Sequence, residues 1–309
     1  SHCSEIKPRS SGLHIQYLDK KGQLPVSISG QLKGGTTEVE GITSQYVSAL
    51  LLALPCAALD SKITVQALHE RPYMEMTLQW LHERRMHFKH DHKPFYDKFQ
   101  IQGDQQYSPF TAVISGDFSS ASYLIAAAVL TEGTVELRGL DWQDPQGDKR
   151  IVTILQEMGS AITITPQGLI IQGGSVLKGL IIDANDIPDL LPTLAVIGAY
   201  AQGKTDIINV RQARIKETDR IHAMTEGLRR LGARVEDYPD GMTIYQSKLQ
   251  GAQVKGYGDH RTVMALAVAG LLAEGVTLIE DSSAIDKTFP TFVTWMRALG
   301  AKMEVIHAA

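Results

Sequence analysis

The sequence predicts an α/β fold built from repeated β-α-β-α-β-β units that pack around buried helices. Two sets of marker segments recur at one period of about seventy residues, which indicates internal repetition. The first marker is a small residue followed by a polar cluster and an apolar helix, and its copies begin at Gly41, Gly116, Asn185 and Gly258. The second marker follows each copy in register, at Arg85, Gly159, Gly232 and Gly300. Because both markers keep the same period, we infer four copies of one unit.

Residues 110–173 show how the elements alternate within one unit. The segments "FTAVIS", "GTVELRGL" and both halves of "AITITPQGLIIQG" are rich in β-branched and apolar residues and predict strands. The segments "SSASYLIAAAVL" and "GDKRIVTILQEMG" have the periodicity of helices. The first of these helices is apolar nearly all round and should be buried, whereas the second is amphipathic and should lie outside. "FQIQG" and "LIIQG", which end at Gly103 and Gly173, mark the final strand of two units.

The repeats divide unequally between two predicted domains. A chain of 309 residues is typical of two domains. The units should begin near Gly30, Thr111, Leu180 and Gly251. This places one unit in residues 1–113 and three units, sharing one lobe, in residues 114–309.

Composition and charge exclude several classes of protein. The formal net charge is −4, which argues against a general nucleic-acid binder. Two cysteines are too few for a disulfide framework, and the histidines of residues 82–92 fit a solvated surface better than a metal site. The apolar runs near residues 47–59 and 263–273 are too short to cross a membrane, and the N-terminal segment lacks the apolar core of a signal peptide. We therefore expect a cytoplasmic protein without nucleic-acid or membrane partners.

The polar cluster of each unit falls at the N-terminus of the buried helix. Free backbone N–H groups and the helix dipole attract anions at that end, so the clusters predict an anion-binding site. The stretch "RIKETDRIHAMTEGLRRLGA", residues 214–233, places Arg214, Lys216 and Arg220 at the mouth of an amphipathic helix, where cations oppose the dipole. A bound phosphate or carboxylate would neutralise these cations.

A series of motifs in one order resembles the 5-enolpyruvylshikimate-3-phosphate synthase family. The motifs are "SGQLKGG", "ITSQYVSALLLA", "RPYMEMTL", "GDFSSASY", "QGD", "IPDLLPTLAV", "RIKETDRI", "GDHRTVMALAV" and "KTFPTF", between about Leu24 and Ile306. The ordered set is highly specific, and "RIKETDR" followed by "DHR" and "KTFP" is its sharpest part. The resemblance implies a two-lobed enolpyruvyl-transferase architecture, an inside-out α/β barrel with three units per lobe and the substrates in the cleft between the lobes.

The resemblance also implies the reaction. The enolpyruvyl group of phosphoenolpyruvate passes to the 5-hydroxyl of shikimate 3-phosphate with release of phosphate, a step of the shikimate pathway to chorismate and the aromatic amino acids. No metal or organic cofactor is implied. Two anionic substrates need clustered lysines and arginines. Moving one proton off the hydroxyl and another onto the methylene carbon needs carboxylates, or a lysine with a shifted pKa.

The site residues follow from the matching motifs. Asp189 would hold the shikimate hydroxyls and act as a base, Glu217 would exchange the proton near the methylene, and Lys216 would contact the shikimate phosphate or hydroxyl. The further ligands of shikimate 3-phosphate would be Thr43, Ser44, Gln45, Tyr73 and Gln212. The ligands of phosphoenolpyruvate would be Arg220, His260, Arg261 and Lys287. Without the motifs, Asp189 also fits a helix cap, and His260 equally fits a core histidine bonded to a backbone carbonyl.

Two departures from the family pattern affect these expectations. Glu70 stands where the family has a serine of the phosphate site, and a carboxylate there would repel phosphate unless it turns away or Arg71 intervenes. The Lys-Ser and Asn-Gly-Thr segments that begin the family pattern are absent, so the first lobe is incomplete. One unit alone cannot cover its apolar helix "YVSALLLALPCAAL". We therefore expect self-association or pairing with the missing N-terminal segment, and no turnover by this chain alone.

Other functions remain compatible with some of these residues. The chain fits a non-catalytic relative or fragment that binds a phosphorylated ligand, a possibility favoured by Glu70 and by the absent segments. An enolpyruvyl transferase acting on a UDP-sugar, or an RNA-cyclase-like relative, shares the repeated unit but fits "RIKETDR" and "KTFP" less well.

Overall fold

The computed structural model describes residues 12–306 of the chain. Expectations that fall on residues 1–11 and 307–309 lie outside the described residues. The chain forms two compact units: the first ends at Val113 and the second begins at Ile114. Among residues 12–306, no helix has the length and apolar character that a membrane span requires.

The described part of the first unit contains a β-hairpin followed by one β-α-β-α-β-β repeat. The hairpin strands are β1 (Leu13–Tyr17) and β2 (Val26–Gly30). The repeat consists of β3 (Gly35–Glu40), α1 (Ser44–Ala53), β4 (Ser61–Gln66), α2 (Arg71–Glu83), β5 (Phe88–Lys93) and β6 (Tyr96–Ile101). Its sheet has the order β3-β4-β6-β5, in which β3 and β4 are parallel and the other neighbours are antiparallel. This is the element order that the repeat pattern predicts.

Helix α1 buries only one of its faces. Val47 and Leu51 are fully buried against the sheet, where they join Ile63 in the core of the first unit. The opposite side exposes Tyr46 and Leu52, whose relative accessibilities are 46% and 47%. The expectation that an apolar helix would be left partly uncovered in the single unit is therefore met.

The second unit contains three sheets and six helices among its described residues. Its strands are β7 (Thr134–Arg138), β8 (Ala161–Thr165), β9 (Gly168–Gln172), β10 (Ile181–Asp183), β11 (Lys204–Ile208), β12 (Val235–Tyr238), β13 (Gly241–Tyr245), β14 (Gln253–Val254) and β15 (Leu278–Ile279). Its helices are α3 (Phe118–Leu130), α4 (Arg150–Met158), α5 (Leu191–Tyr200), α6 (Arg220–Arg230), α7 (His260–Leu272) and α8 (Phe292–Ala298). The sheet orders are β7-β9-β8, β10-β11-β13-β12 and β14-β15.

The middle repeat of the second unit is complete, whereas its neighbours are not. The segment "FTAVIS", predicted to be a strand, has no regular structure, and Val113 and Ile114 are largely exposed. In the last repeat, the described residues that follow α8, 301–306, form no strand pair. The prediction for "FTAVIS" was wrong because β-branched composition gives a strand only where a neighbouring strand supplies hydrogen bonds and packing.

The first helices of these repeats form the centre of the second unit, as predicted. Helices α3, α5 and α7 contact one another and belong to one hydrophobic core. Ser122 of α3 bonds Thr193 of α5 at 3.0 Å, and Tyr200 of α5 donates to the carbonyl of Ala269 in α7 at 3.0 Å. The amphipathic helices α4 and α6 bury one stripe each. The N-termini of the central helices carry the polar clusters described below.

The glycines at the ends of "FQIQG" and "LIIQG" pack closely against the backbone of another segment. A Cβ built on Gly173 would come within 1.8 Å of the carbonyl oxygen of Thr131, and one built on Gly103 within 2.4 Å of the backbone of Leu59. A side chain at either position would push the end of the strand away from the segment that follows the first helix of the same repeat. The glycine of the marker is therefore a packing requirement.

We predict that Gly173→Ala lowers the free energy of unfolding of the second unit by about 1–3 kcal/mol or more, because it overpacks a backbone contact. Chemical denaturation followed by circular dichroism measures the change. The control is Gln172→Ala at the neighbouring exposed position, which should stay within about 0.5 kcal/mol of wild type. Equal effects of the two substitutions would contradict the packing explanation.

Candidate active site

Arg220 lies at the centre of a cluster of charged groups in the second unit. It is the first residue of α6, which is capped by Asp219, and its side chain is only 1% exposed. The guanidinium donates from Nε to Asp259 at 2.7 Å and from one terminal nitrogen to Asp189 at 2.6 Å. The other terminal nitrogen donates to Glu217. Each nitrogen of this buried arginine thus bonds a different carboxylate.

The carboxylates are brought to Arg220 by the starts of different helices. Asp189 lies in the 3₁₀ turn Pro188–Leu190, directly before α5. Asp259 caps α7: its Oδ1 accepts from the backbone N–H of Arg261 at 2.8 Å while its Oδ2 bonds Arg220. The guanidinium of Arg261 reaches the second oxygen of Asp189 at 2.9 Å. We call these residues the Arg220 cluster: Asp189, Glu217, Arg220, Asp259 and Arg261.

The electrostatic field of the cluster holds Asp189 ionised. Burial by itself raises the pKa of Asp189, but Arg261, Arg220 and Lys216 together hold that pKa far below its ordinary value. Burial also disfavours the charge on Arg220, and Asp189 and Asp259 more than offset this, so that its pKa is raised. The two arginines and Asp189 are therefore a stable set of charges.

The structure explains how cations are tolerated at the start of α6. Arg220 is neutralised by the acids of its cluster, and Arg214 donates to Asp219 at 2.7 Å. We expected a bound anion to be needed for this neutralisation. The chain's own carboxylates provide it instead.

His260 and Lys287 lie beside the cluster. His260 follows Asp259 in the chain, is 4% exposed, and neither of its ring nitrogens has a hydrogen-bond partner within the described residues. The alternative of a core histidine bonded to a backbone carbonyl is therefore wrong. Burial, followed by the charge of Arg261, lowers the pKa of His260. Lys287 is exposed and donates to the carbonyl of Gly258 at 2.8 Å. The imidazole keeps donor and acceptor capacity for a ligand.

The remaining predicted residues of the second unit lie around Asp189. Lys216 is half-buried and lowers the pKa of Asp189 by its charge. Gln212 is buried and donates to the carbonyl of Asn185 at 2.7 Å, while its Oε1 has no partner within residues 12–306. Thus every site residue predicted for the second unit belongs to the Arg220 cluster or to the segments beside it.

Sequence reasoning missed Asp148, a buried carboxyl group in the 3₁₀ turn Gly147–Lys149 directly before α4. Ser119 of α3 donates to Asp148, whose other oxygen has no partner among the described residues. Burial, followed by the charge of Asp189, raises the pKa of Asp148 to about 7. The motif "QGD" contains this residue, so the signal was present, but nothing in the sequence distinguishes a buried aspartate from a solvated turn.

In the first unit, the predicted phosphate ligands surround a carboxylate. Glu70 is 1% exposed, and its Oε2 accepts from Thr43 Oγ1 at 3.0 Å and from Ser44 N and Oγ at 3.1 and 3.0 Å. Glu70 therefore does not turn away from the position that the family pattern gives to phosphate. Arg71 binds Asp97 through both terminal nitrogens.

Gln45 and Tyr73 lie near the starts of two different helices. Gln45 is exposed in the first turn of α1 and its backbone N–H donates to Thr43. Tyr73 is half-buried in the first turn of α2. Farther away, His90 and His92 bond Asp97 at 2.7 and 3.1 Å. No group of three or more His, Cys, Asp or Glu side chains between residues 12 and 306 could hold a metal ion.

The fold and the site indicate the enolpyruvyl transferase class. Its features here are the repeated β-α-β-α-β-β units around buried helices and the arginine–carboxylate cluster at the helix starts. The structure superposes on two solved EPSP synthases from Acinetobacter baumannii, with TM-scores of 0.78 and 0.76 and sequence identities of 26% and 25%. Each comparison covers 97% of this chain and 70% of the other.

Sequence comparison gives the family. The family model "EPSP synthase (3-phosphoshikimate 1-carboxyvinyltransferase)" matches residues 8–296. The chain is 46% identical to the 3-phosphoshikimate 1-carboxyvinyltransferase of Acetivibrio thermocellus, in a match that covers 91% of this chain and 65% of the relative. It is 45% identical to the protein of the same name from Ruminiclostridium cellulolyticum, in a match that covers 98% of this chain and 73% of the relative. The chain therefore belongs to the EPSP synthase family, an enzyme family of the shikimate pathway. It spans about two thirds of the length of these relatives.

We predict that Asp148→Asn changes the dependence of stability on pH. The folded pKa of about 7 exceeds the ordinary value of about 3.9, so the folded protein retains the proton between these values and the unfolded chain does not. Stability therefore falls as pH rises through this window, and an asparagine removes the fall. Relative to wild type, the Tm of the variant should rise by roughly 2–8 °C at pH 8 and by much less at pH 5.

Thermal unfolding followed by circular dichroism at both pH values tests this prediction. The matched control is Glu157→Gln, which neutralises an exposed carboxyl group on α4. The explanation would be refuted by the same difference in Tm at pH 5 and pH 8.

Proposed function

We propose that the chain carries substrate-binding and proton-transfer groups for enolpyruvyl transfer from phosphoenolpyruvate to the 5-hydroxyl of shikimate 3-phosphate. The observation that carries the proposal is the Arg220 cluster, which gathers residues of "IPDLLPTLAV", "RIKETDRI" and "GDHRTVMALAV" into one bonded group. These motifs lie far apart in sequence, and their order is the family's. Location in the cytoplasm stays a prediction.

The proposed ligands of phosphoenolpyruvate are the cations of the second unit and His260. Arg220 and Arg261 present planar donor groups that match carboxylates and phosphates, and Lys287 adds the charge of an exposed ammonium group. His260 has two unpartnered ring nitrogens in a buried, charged environment, which supports a ligand contact. With its pKa lowered, His260 is neutral near pH 7 and can donate from one nitrogen only.

Each unit by itself carries residues that we propose as ligands of shikimate 3-phosphate. We propose Asp189, Lys216 and Gln212 as its ligands in the second unit, and the unpartnered Oε1 of buried Gln212 supports this role. In the first unit we propose Thr43, Ser44, Gln45 and Tyr73. The support in this unit is that Thr43 and Ser44 at the start of α1 already donate to an anionic oxygen, that of the Glu70 carboxylate.

Asp189 is a poor base while both arginines bond it, because its depressed pKa opposes proton uptake. An anionic substrate that takes Arg220 or Arg261 as ligand would withdraw positive charge from Asp189. The pKa of Asp189 would then rise towards its ordinary value, and the carboxylate would become a better acceptor for a hydroxyl proton. In this proposal, phosphoenolpyruvate binding itself prepares Asp189 for its second role.

Glu217 is the acid of the cluster that a substrate reaches most easily. Its side chain is 41% exposed, compared with 16% for Asp189 and 0% for Asp259. We propose that Glu217 exchanges the proton of the methylene carbon. Asp259 holds Arg220 and the start of α7, so it is a positioning residue.

A second candidate function is phospholigand binding without turnover, and Glu70 is the observation that favours it. A carboxylate already occupies the donors of Thr43 and Ser44. This alternative would be supported if the chain binds substrates but no phosphate is released even after it is mixed with the portion of the relative that it does not cover.

Calorimetric titration and a coupled phosphate-release assay test the proposal. Titration of shikimate 3-phosphate, with UDP-N-acetylglucosamine as the competing substrate class, should give binding of the former only. Phosphate release should be measured for the chain alone and for the chain mixed with the portion of the Acetivibrio thermocellus relative that it does not cover. Binding of neither phosphoenolpyruvate nor shikimate 3-phosphate would refute the proposal.

We predict that Glu217→Gln lowers kcat about 10²–10⁴-fold in the mixture that releases phosphate, because the amide cannot exchange a proton. KM should change by no more than about threefold, because the amide oxygen still accepts from Arg220. The control is Glu132→Gln, at an exposed position of the second unit. A large rise in KM with unchanged kcat would assign Glu217 to binding instead.

A further inference from the structure

The carboxylate of Glu70 makes bonds that a bound anion would make. One oxygen, Oε2, accepts from a threonine hydroxyl, a serine hydroxyl and a backbone N–H, at 3.0, 3.0 and 3.1 Å. These donors belong to Thr43, the cap of α1, and Ser44, its first residue. The positive end of the helix dipole favours negative charge at this position. A phosphate oxygen would require the same donors.

We propose that Glu70 is a built-in competitor for phosphate at the start of α1, and that it determines how strongly this chain prefers phosphorylated over unphosphorylated ligands. The inference rests on the proposed function only for the identity of the ligand. Phosphate binds the donors of Thr43 and Ser44 after the Glu70 carboxylate has left them. The exchange breaks charge-assisted hydrogen bonds before the ligand's own bonds form, so affinity is lowered.

The backbone around Glu70 keeps its carboxylate at the helix start. Glu70 has φ of 55°, a conformation uncommon for glutamate, and directly precedes α2. Its neighbour Arg71 binds Asp97, a buried residue of β6. Because α2 is anchored in this way, the carboxylate can leave Oγ1 of Thr43 only by side-chain rotation or by a shift of the start of α2.

Glu70→Gly and Glu70→Ser remove the competitor in different ways. Glycine relieves the backbone strain of positive φ and leaves the donors unoccupied, whereas serine supplies a hydroxyl and keeps the strain that glutamate has. The two variants differ in backbone strain, but both lack the carboxylate. A change in phosphate binding that both variants show is therefore caused by the loss of the carboxylate. The matched control is Glu75→Gln, an exposed acid on the same helix α2.

The first measurement is a titration of the full chain with inorganic phosphate, followed by the amide NMR signals of Ser44 and Gln45. Glu70→Gly and Glu70→Ser should shift these signals at phosphate concentrations roughly tenfold or more below those needed for wild type and Glu75→Gln. Ser44→Ala in the Glu70→Gly background should abolish the gain. Equal or weaker phosphate binding by both Glu70 variants would overturn the proposal.

The second measurement compares the dissociation constants of shikimate and shikimate 3-phosphate. The preference for the phosphorylated compound should rise about tenfold or more in both Glu70 variants. If the variants bind inorganic phosphate more tightly but neither wild type nor variants bind either shikimate compound, the role of Glu70 stands and the proposed substrate is wrong. If the preference stays unchanged while shikimate 3-phosphate binds, the role of Glu70 is wrong.

Discussion

The second unit depends on the burial of one arginine. A guanidinium taken out of water is tolerated only when its charge and its N–H groups are matched, and Arg220 meets this condition with Asp189, Glu217 and Asp259. Two of these acids lie at the starts of α5 and α7, about 30 and 40 residues from Arg220 in the chain. The bonds can form only when the central helices pack with those starts at the same end. The arginine therefore links the packing of the repeats to the geometry of the site.

The same arrangement separates the pKa values of two neighbouring aspartates. Arg261 and Arg220 hold the pKa of Asp189 down, whereas Asp148 is buried beside the negative charge of Asp189 and its pKa rises. Two carboxyl groups in one polar site thus differ in charge near pH 7. Such a difference is the usual physical basis of acid–base roles in an active site. The difference in pKa arises here because Asp189 bonds both arginines, whereas Asp148 bonds Ser119.

The sequence predicted the repeated unit and the residues of the cluster other than Asp259, because period and motif are local properties. It did not predict that "FTAVIS" would lack a partner strand, since strand formation depends on neighbours that a linear pattern does not contain. It identified Asp189 and Arg220 separately, but not the direct bond between them. Asp148 and Glu70 show the same limit. Their residue types were visible in the sequence, while their burial and hydrogen bonds depend on the folded chain.

Both units share a property that neither motif nor fold alone reveals. In the second unit, arginines suited to bind anions are held by carboxylates of the chain, and in the first unit the donors of α1 hold the Glu70 carboxylate. Self-neutralisation keeps groups for anionic ligands ordered and their charges compensated before a ligand binds. Its cost is an exchange: each substrate anion must displace an acid of the protein. Where the displaced acid is Asp189, the exchange would generate a base and serve the chemistry. Where it is Glu70, no reacting bond depends on the released carboxylate, so the exchange lowers affinity alone.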